Sequence, residues 1–160
     1  MFEKIIVCLD GSALSEQILP YIVAESRCFR SVVLLKVLAT PELNIPLGIP
    51  GSPGVTMHTD AMLERYDKEA KEAPAYLERL AEPLREAGID VTCTVLEGVP
   101  SEAIIGYAKD TEAGCIALAT HGHSGLREVI LGSTAEQLVK KSTLPVLVIS
   151  PTSKKRQERR

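Results

Sequence analysis

Five short apolar runs, each separated from the next by a stretch with helical spacing, constrain this chain more than any other feature. The runs are Lys4–Leu9, Ser31–Leu38, Asp90–Leu96, Cys115–Ala119 and Pro145–Ile149. They are rich in Val and Ile and do not alternate polar with apolar, which is the pattern of strands buried on both faces. Strand, helix and strand in succession build βαβ units. The expected fold class is therefore α/β, an open parallel five-stranded sheet with helices on both faces.

The connections carry their own signals. Ala13–Arg27 reads as a helix with Leu14, Ile18 and Ile22 on one face, kinked at Pro20. Thr40–Thr59 holds Pro41, Pro46, Gly48, Pro50, Gly51, Pro53 and Gly54 and is expected to be a mobile flap, because loops this long are uncommon in compact domains. Leu63, Tyr66, Ala70, Ala73, Leu77, Leu80, Leu84 and Ala87 recur every three or four residues, a long amphipathic helix closed by Gly88. Pro74 and Pro83 are expected to bend or break it. A shorter crossover helix starts at Pro100 and runs to Glu112, and the last helix spans Ser133–Lys141.

With 160 residues the chain is expected to form one domain, residues 1–150, followed by a disordered basic tail, 151–160. The chain carries 18 Lys and Arg against 21 Asp and Glu; the last seven residues hold five of the bases and one acid, leaving 13 against 20 in the body. An acidic body speaks against wrapping duplex nucleic acid, which needs clustered bases on the folded surface. No apolar run approaches the ~20 residues of a membrane span, and Met1-Phe2-Glu3-Lys4 leads straight into a strand, so a cytoplasmic location and no membrane partner are expected. Cys8, Cys28, Cys93 and Cys115 are widely spaced, which supports neither a disulfide framework nor a zinc ribbon.

In an open parallel sheet the ligand crevice lies beyond the carboxyl ends of the strands. Two places there are dense in chemistry: Asp10-Gly11-Ser12 after the first strand, and Thr120-His121-Gly122-His123-Ser124-Gly125 after the fourth, leading to Gly132-Ser133-Thr134 at the head of the last helix. Glycines that bare the backbone, free N–H groups and two hydroxyls at a positive helix end attract an anion without a lysine. The same residues also serve as ordinary turn and cap residues. His121 and His123 lack a third ligand, so no metal site is expected. The G-x-x-x-x-G-K-[ST] signature is absent, and Glu128 is the one acidic residue in the Gly122–Ser133 loop, so no catalytic residue is assigned.

Three segments in order resemble the universal stress protein family: Lys4–Ser12, Ile116–Leu126, and Leu131–Glu136 with Leu144–Val148. The resemblance covers residues 2–150 and implies an adenine nucleotide alpha hydrolase-like fold with strand order 3-2-1-4-5, a homodimer and, in one subgroup, bound ATP. That subgroup's phosphate motif is Gly, two residues, Gly, nine residues, Gly, then Ser or Thr. Here it falls on Ala119, Gly122, Gly132 and Ser133, with alanine in place of the first glycine. The resemblance implies that Cys8, Leu9 and Asp10 line the adenosine side and that the backbone of Val37 contacts adenine. Ala119, Thr120, Gly122, His123, Gly132, Ser133 and Thr134 then face the phosphates, with Mg²⁺ bound through them, and His121 completes the site by hydrogen-bonding neighbouring backbone.

Three functions follow as alternatives. The first is a dimeric ATP-binding stress-response sensor, pairing through the edge strand Val146–Ile149, with hydrolysis slow at most. The second is a nucleotide-free dimeric interaction protein, in which Ala119 marks the loss of the ligand. The third is an adenylating enzyme of the related class, whose Ser-Gly-Gly-x-Asp-Ser loop the Asp10-Gly11-Ser12 turn does not reproduce.

Overall fold

The computed structural model describes residues 2–40, 43–45, 55–57, 60–120 and 132–150. Strands β1 (Phe2–Cys8), β2 (Phe29–Leu38), β5 (Asp90–Glu97), β6 (Cys115–Ala119) and β7 (Val146–Ile149) form one sheet in the order β5-β2-β1-β6-β7, and the pairings along it are parallel. Counting these five alone, the order is 3-2-1-4-5, as expected.

The sheet is buried on both sides because successive side chains of each apolar run enter different cores. Ile5, Val7, Val32, Leu34, Cys115 and Ala117 join one cluster, while Ile6, Val33, Leu35, Ile116 and Leu118 join the other. The first cluster is covered by helices α1 (Leu19–Ala24) and α2 (Asp60–Glu86), and the second by α3 (Pro100–Asp110) and α4 (Ser133–Lys141).

Several connections differ from expectation. The kinked helix over Ala13–Arg27 is three pieces: a 3-10 turn at Ser15–Ile18, α1, and a second 3-10 turn at Ser26–Cys28. Pro20 sits in the first turn of α1, where its missing N–H costs nothing. α2 runs unbroken through Pro74 and Pro83 for 27 residues. Both prolines are exposed, so the backbone groups they orphan meet water, while Ala73, Leu77, Leu80, Ala81 and Leu84 stay packed on the sheet. The helix closes at Gly88 as expected: with φ +82° it lets its own N–H reach Arg85 O at 2.9 Å and the Ile89 N–H reach Leu84 O at 3.1 Å. α3 stops at Asp110, two residues short of the expected Glu112, which has φ +53° and turns the chain away. The segment expected as a flap contains two short antiparallel strands, β3 (Leu43–Ile45) and β4 (Val55–Met57), with Leu43 opposite Met57. The rest of that segment and the basic tail lie outside the described residues.

Candidate functional site

The carboxyl ends of β1, β2 and β6 open on a cavity of about 290 Å³, at the lower end of the range for small-molecule sites. Cys8, Leu9 and Asp10 enter it from β1, Val37 from β2, Ala119 and Thr120 from β6, and Gly132, Ser133 and Thr134 from the head of α4. Nine of the twelve residues singled out in the sequence thus meet at one place. The other three, His121, Gly122 and His123, lie outside the described residues. The remaining wall is formed by Leu14, Ser15, Leu35, Pro100, Ile104, Leu118 and Ala135. Sequence reasoning missed these because the apolar ones read simply as core and Ser15 as a polar position of the Ala13–Arg27 helix.

The Asp10 loop is held by a dense set of local bonds. The Ser12 N–H donates to Asp10 Oδ1 at 2.8 Å, the Ser15 N–H donates to Ser12 Oγ at 3.1 Å, and Ser15 Oγ donates to Ser12 O at 2.9 Å. Gly11 has φ +89°, a conformation that a side chain would strain. Burial alone would push the Asp10 carboxyl up, but its hydrogen bonds from Ser12 and Ser15 outweigh this and hold it below the usual value. Asp10 is therefore a fixed anion whose carboxylate accepts donors. Burial also pushes the Cys8 thiol up to about 12, so at neutral pH it is a protonated wall residue and no nucleophile.

On the opposite wall, Gly132 caps α4 with no side-chain hydrogen bond, and its carbonyl accepts the Glu136 N–H at 2.9 Å. The N–H groups of Ser133 and Thr134 precede the first intrahelical bond and stand at the positive end of the helix. Among the described residues, its chain neighbours aside, no atom lies within 4 Å of where a Cβ on Gly132 would be, so on that side this turn borders open space. Ala119 belongs to β6 and is not among the positive-φ residues, so alanine fits there without backbone strain. Its methyl packs with the α2-side core, on the other face of the sheet from Leu118 and α4.

Lys36 was not singled out in the sequence. It is 4% exposed, in a run that otherwise reads as core strand. Its Nζ donates to Asp10 O at 2.9 Å and pairs with Glu69 Oε1 at 2.7 Å. A charge inside a strand buried on both faces is the signal that would have found it.

The model of the universal stress protein family matches residues 1–150. A curated relative, Universal stress protein MJ0577 of Methanocaldococcus jannaschii, is 29% identical over 161 residues, covering 93% of this chain and 95% of its own. A solved structure of MJ0577 superposes with TM-score 0.70 at 26% identity, covering 96% of this chain and 99% of that one. A universal stress protein family protein from Arabidopsis thaliana, solved with AMP bound, gives TM-score 0.60 at 16% identity, covering 96% and 94%. A universal stress protein in complex with cAMP gives 0.60 at 16%, covering 94% and 98%. At that identity the last two speak for the fold alone.

Proposed function

The chain belongs to the universal stress protein family, and we propose that it is a dimeric, cytoplasmic nucleotide sensor that binds ATP in the cleft at the carboxyl ends of β1, β2 and β6. The observation that carries this reading is the convergence of the Asp10 loop, Val37, the end of β6 and the uncapped head of α4 on one cavity. Structures of family proteins with AMP and with cAMP support an adenine nucleotide as the ligand class.

In this reading Cys8, Leu9 and Asp10 hold the adenosine side, and the backbone of Val37 meets the base. Ala119, Thr120, Gly132, Ser133 and Thr134 take the phosphates together with Gly122 and His123, while His121 completes the site through neighbouring backbone. The open space at Gly132 among the described residues and the N–H groups of the first turn of α4, which have no intrahelical acceptor, fit an anionic group. Mg²⁺ would be carried by the phosphates. Asp10 is the carboxylate on the described wall, and it is engaged by Ser12, which suits an anchor rather than a base; hydrolysis is slow at most. The chain is assigned to the ATP-binding subgroup with its first motif glycine replaced by Ala119, a change that the inward methyl accommodates.

Homodimerisation is assigned to β7. It is one of the two edges of the sheet, and an apolar cavity of about 670 Å³ runs along it, bordered by Phe2, Tyr21 and Leu147, whose exposures are 39%, 44% and 44%. Pairing with a second copy would cover both the edge and the patch. Among the described residues no helix is long and apolar enough to cross a membrane.

Isothermal titration with ATP and with AMP tests the reading. Wild type is expected to bind both, and Gly122→Val and Ser133→Ala are expected to bind at least threefold more weakly. Wild type binding no better than the variants would refute it.

A further inference from the structure

Resting on that nucleotide-binding reading, we propose that Lys36 is a positioning residue of the cleft: it holds the Asp10 loop from the far face of the sheet and ties its geometry to Glu69 on α2.

The alternation along β2 places Val32 and Leu34 in the α2-side core and Val33 and Leu35 in the other, so Lys36 projects toward α2 while Val37 lies on the cleft side. The Lys36 side chain is 5% exposed, and an ammonium so buried is tolerated only when it is paired. Its partners among the described residues are specific. Glu69 supplies the charge at 2.7 Å, the Asp10 carbonyl accepts a second N–H at 2.9 Å, and the Tyr76 ring centroid lies 5.8 Å away.

The Asp10 carbonyl opens the turn whose next residue, Gly11, has φ +89°; a Cβ on Gly11 would stand 3.1 Å from Lys36 Nζ. The ammonium therefore packs against the backbone of the turn where a side chain is missing. The local bonds from Ser12 and Ser15 shape the loop internally, whereas Lys36 is its long-range tie to α2. Any shift of Asp10 as ligand enters moves the acceptor of Lys36, and through Nζ it moves the charge partner on α2. By linkage, a change at Glu69 alters ligand affinity in return. Lys36 touches no ligand in this scheme; it acts through Asp10.

The test uses AMP as the probe, with titration calorimetry and amide hydrogen exchange on the full chain. Lys36→Met is expected to weaken AMP binding about tenfold, the scale of one charge-assisted hydrogen bond, and Lys36→Arg is expected to restore part of the loss. Glu69→Gln is expected to weaken it about threefold. AMP is expected to slow exchange across residues 62–70 in wild type and not in Lys36→Met, a response that a merely structural lysine would not control. Should Lys36→Met fail to fold, Glu69→Gln decides, because the Glu69 side chain is 52% exposed and glutamine keeps an amide oxygen there to accept from Lys36 Nζ. Wild type that binds AMP while the folded variants bind within twofold of it, or show the same response on α2, overturns this proposal alone. Wild type that binds no AMP overturns this proposal and the preceding reading together.

Discussion

Ala119→Gly separates two roles that one methyl group can play. The substitution restores the glycine of the family's ATP-binding motif, so a motif-based view expects tighter binding. The geometry points elsewhere. Ala119 lies in β6 opposite Ile149, its backbone is ordinary strand, and its methyl packs with the core beneath α2. Removing it takes away one partly buried methyl, worth up to about 0.8 kcal/mol. It also frees the backbone of the unfolded chain by roughly 0.5–1 kcal/mol. The variant should lose about 0.5–1.8 kcal/mol of stability, a fall of about 1–7 °C in midpoint for a domain of this size, while AMP affinity changes by less than twofold. Urea denaturation and calorimetry on the same preparation measure both. A tenfold gain in affinity would refute the reasoning, because it would mean that the methyl stands where the nucleotide belongs.

Two further outcomes follow from the same structure. Burial pushes the Cys8 thiol up to about 12; burial and then Glu78 push Cys93 up to about 11. The folded chain therefore keeps protons that the unfolded chain loses above its ordinary value of 9.0, so stability is intact below about pH 9 and falls as pH rises toward 11. Urea midpoints at pH 8, 9, 10 and 11 should show the decline, with a shallower slope in Cys8→Ala; an unchanged slope would contradict the burial of that thiol. Leu147→Glu puts a charge on the exposed apolar patch beside β7 and should convert a dimer to monomer in sedimentation velocity without unfolding it, whereas a dimer that persists would move the interface elsewhere.

The sheet was legible in the sequence because its signal is local. Runs such as Cys115–Ala119 and Asp90–Leu96 announce themselves without knowledge of their neighbours, and Gly88 and Lys141 mark helix ends through backbone freedom and charge. What proved harder depended on which way a residue faces. Pro74 and Pro83 look like breaks until α2 is seen to turn them to solvent, and Pro20 looks like a kink until the chain enters α1 through a 3-10 turn. The short strands β3 and β4 were hidden among prolines and glycines, because three-residue pairs carry little pattern of their own. At the site, the hydroxyls and glycines beside strand ends were visible, whereas the apolar wall of Leu35 and Ile104 was not distinguishable from core. Lys36 escaped notice because its partners, Asp10 and Glu69, are 26 residues before it and 33 after, and only the fold brings them together.

The central claim is that adenine nucleotide occupies the cleft between the Asp10 loop and the head of α4. Titration of isotopically labelled protein with AMP, followed through its backbone amide resonances, tests this most directly. The account predicts shifts concentrated at residues 8–12, 37, 119–123 and 132–135. A spectrum that stays still, or that moves only along Val146–Ile149, would contradict it.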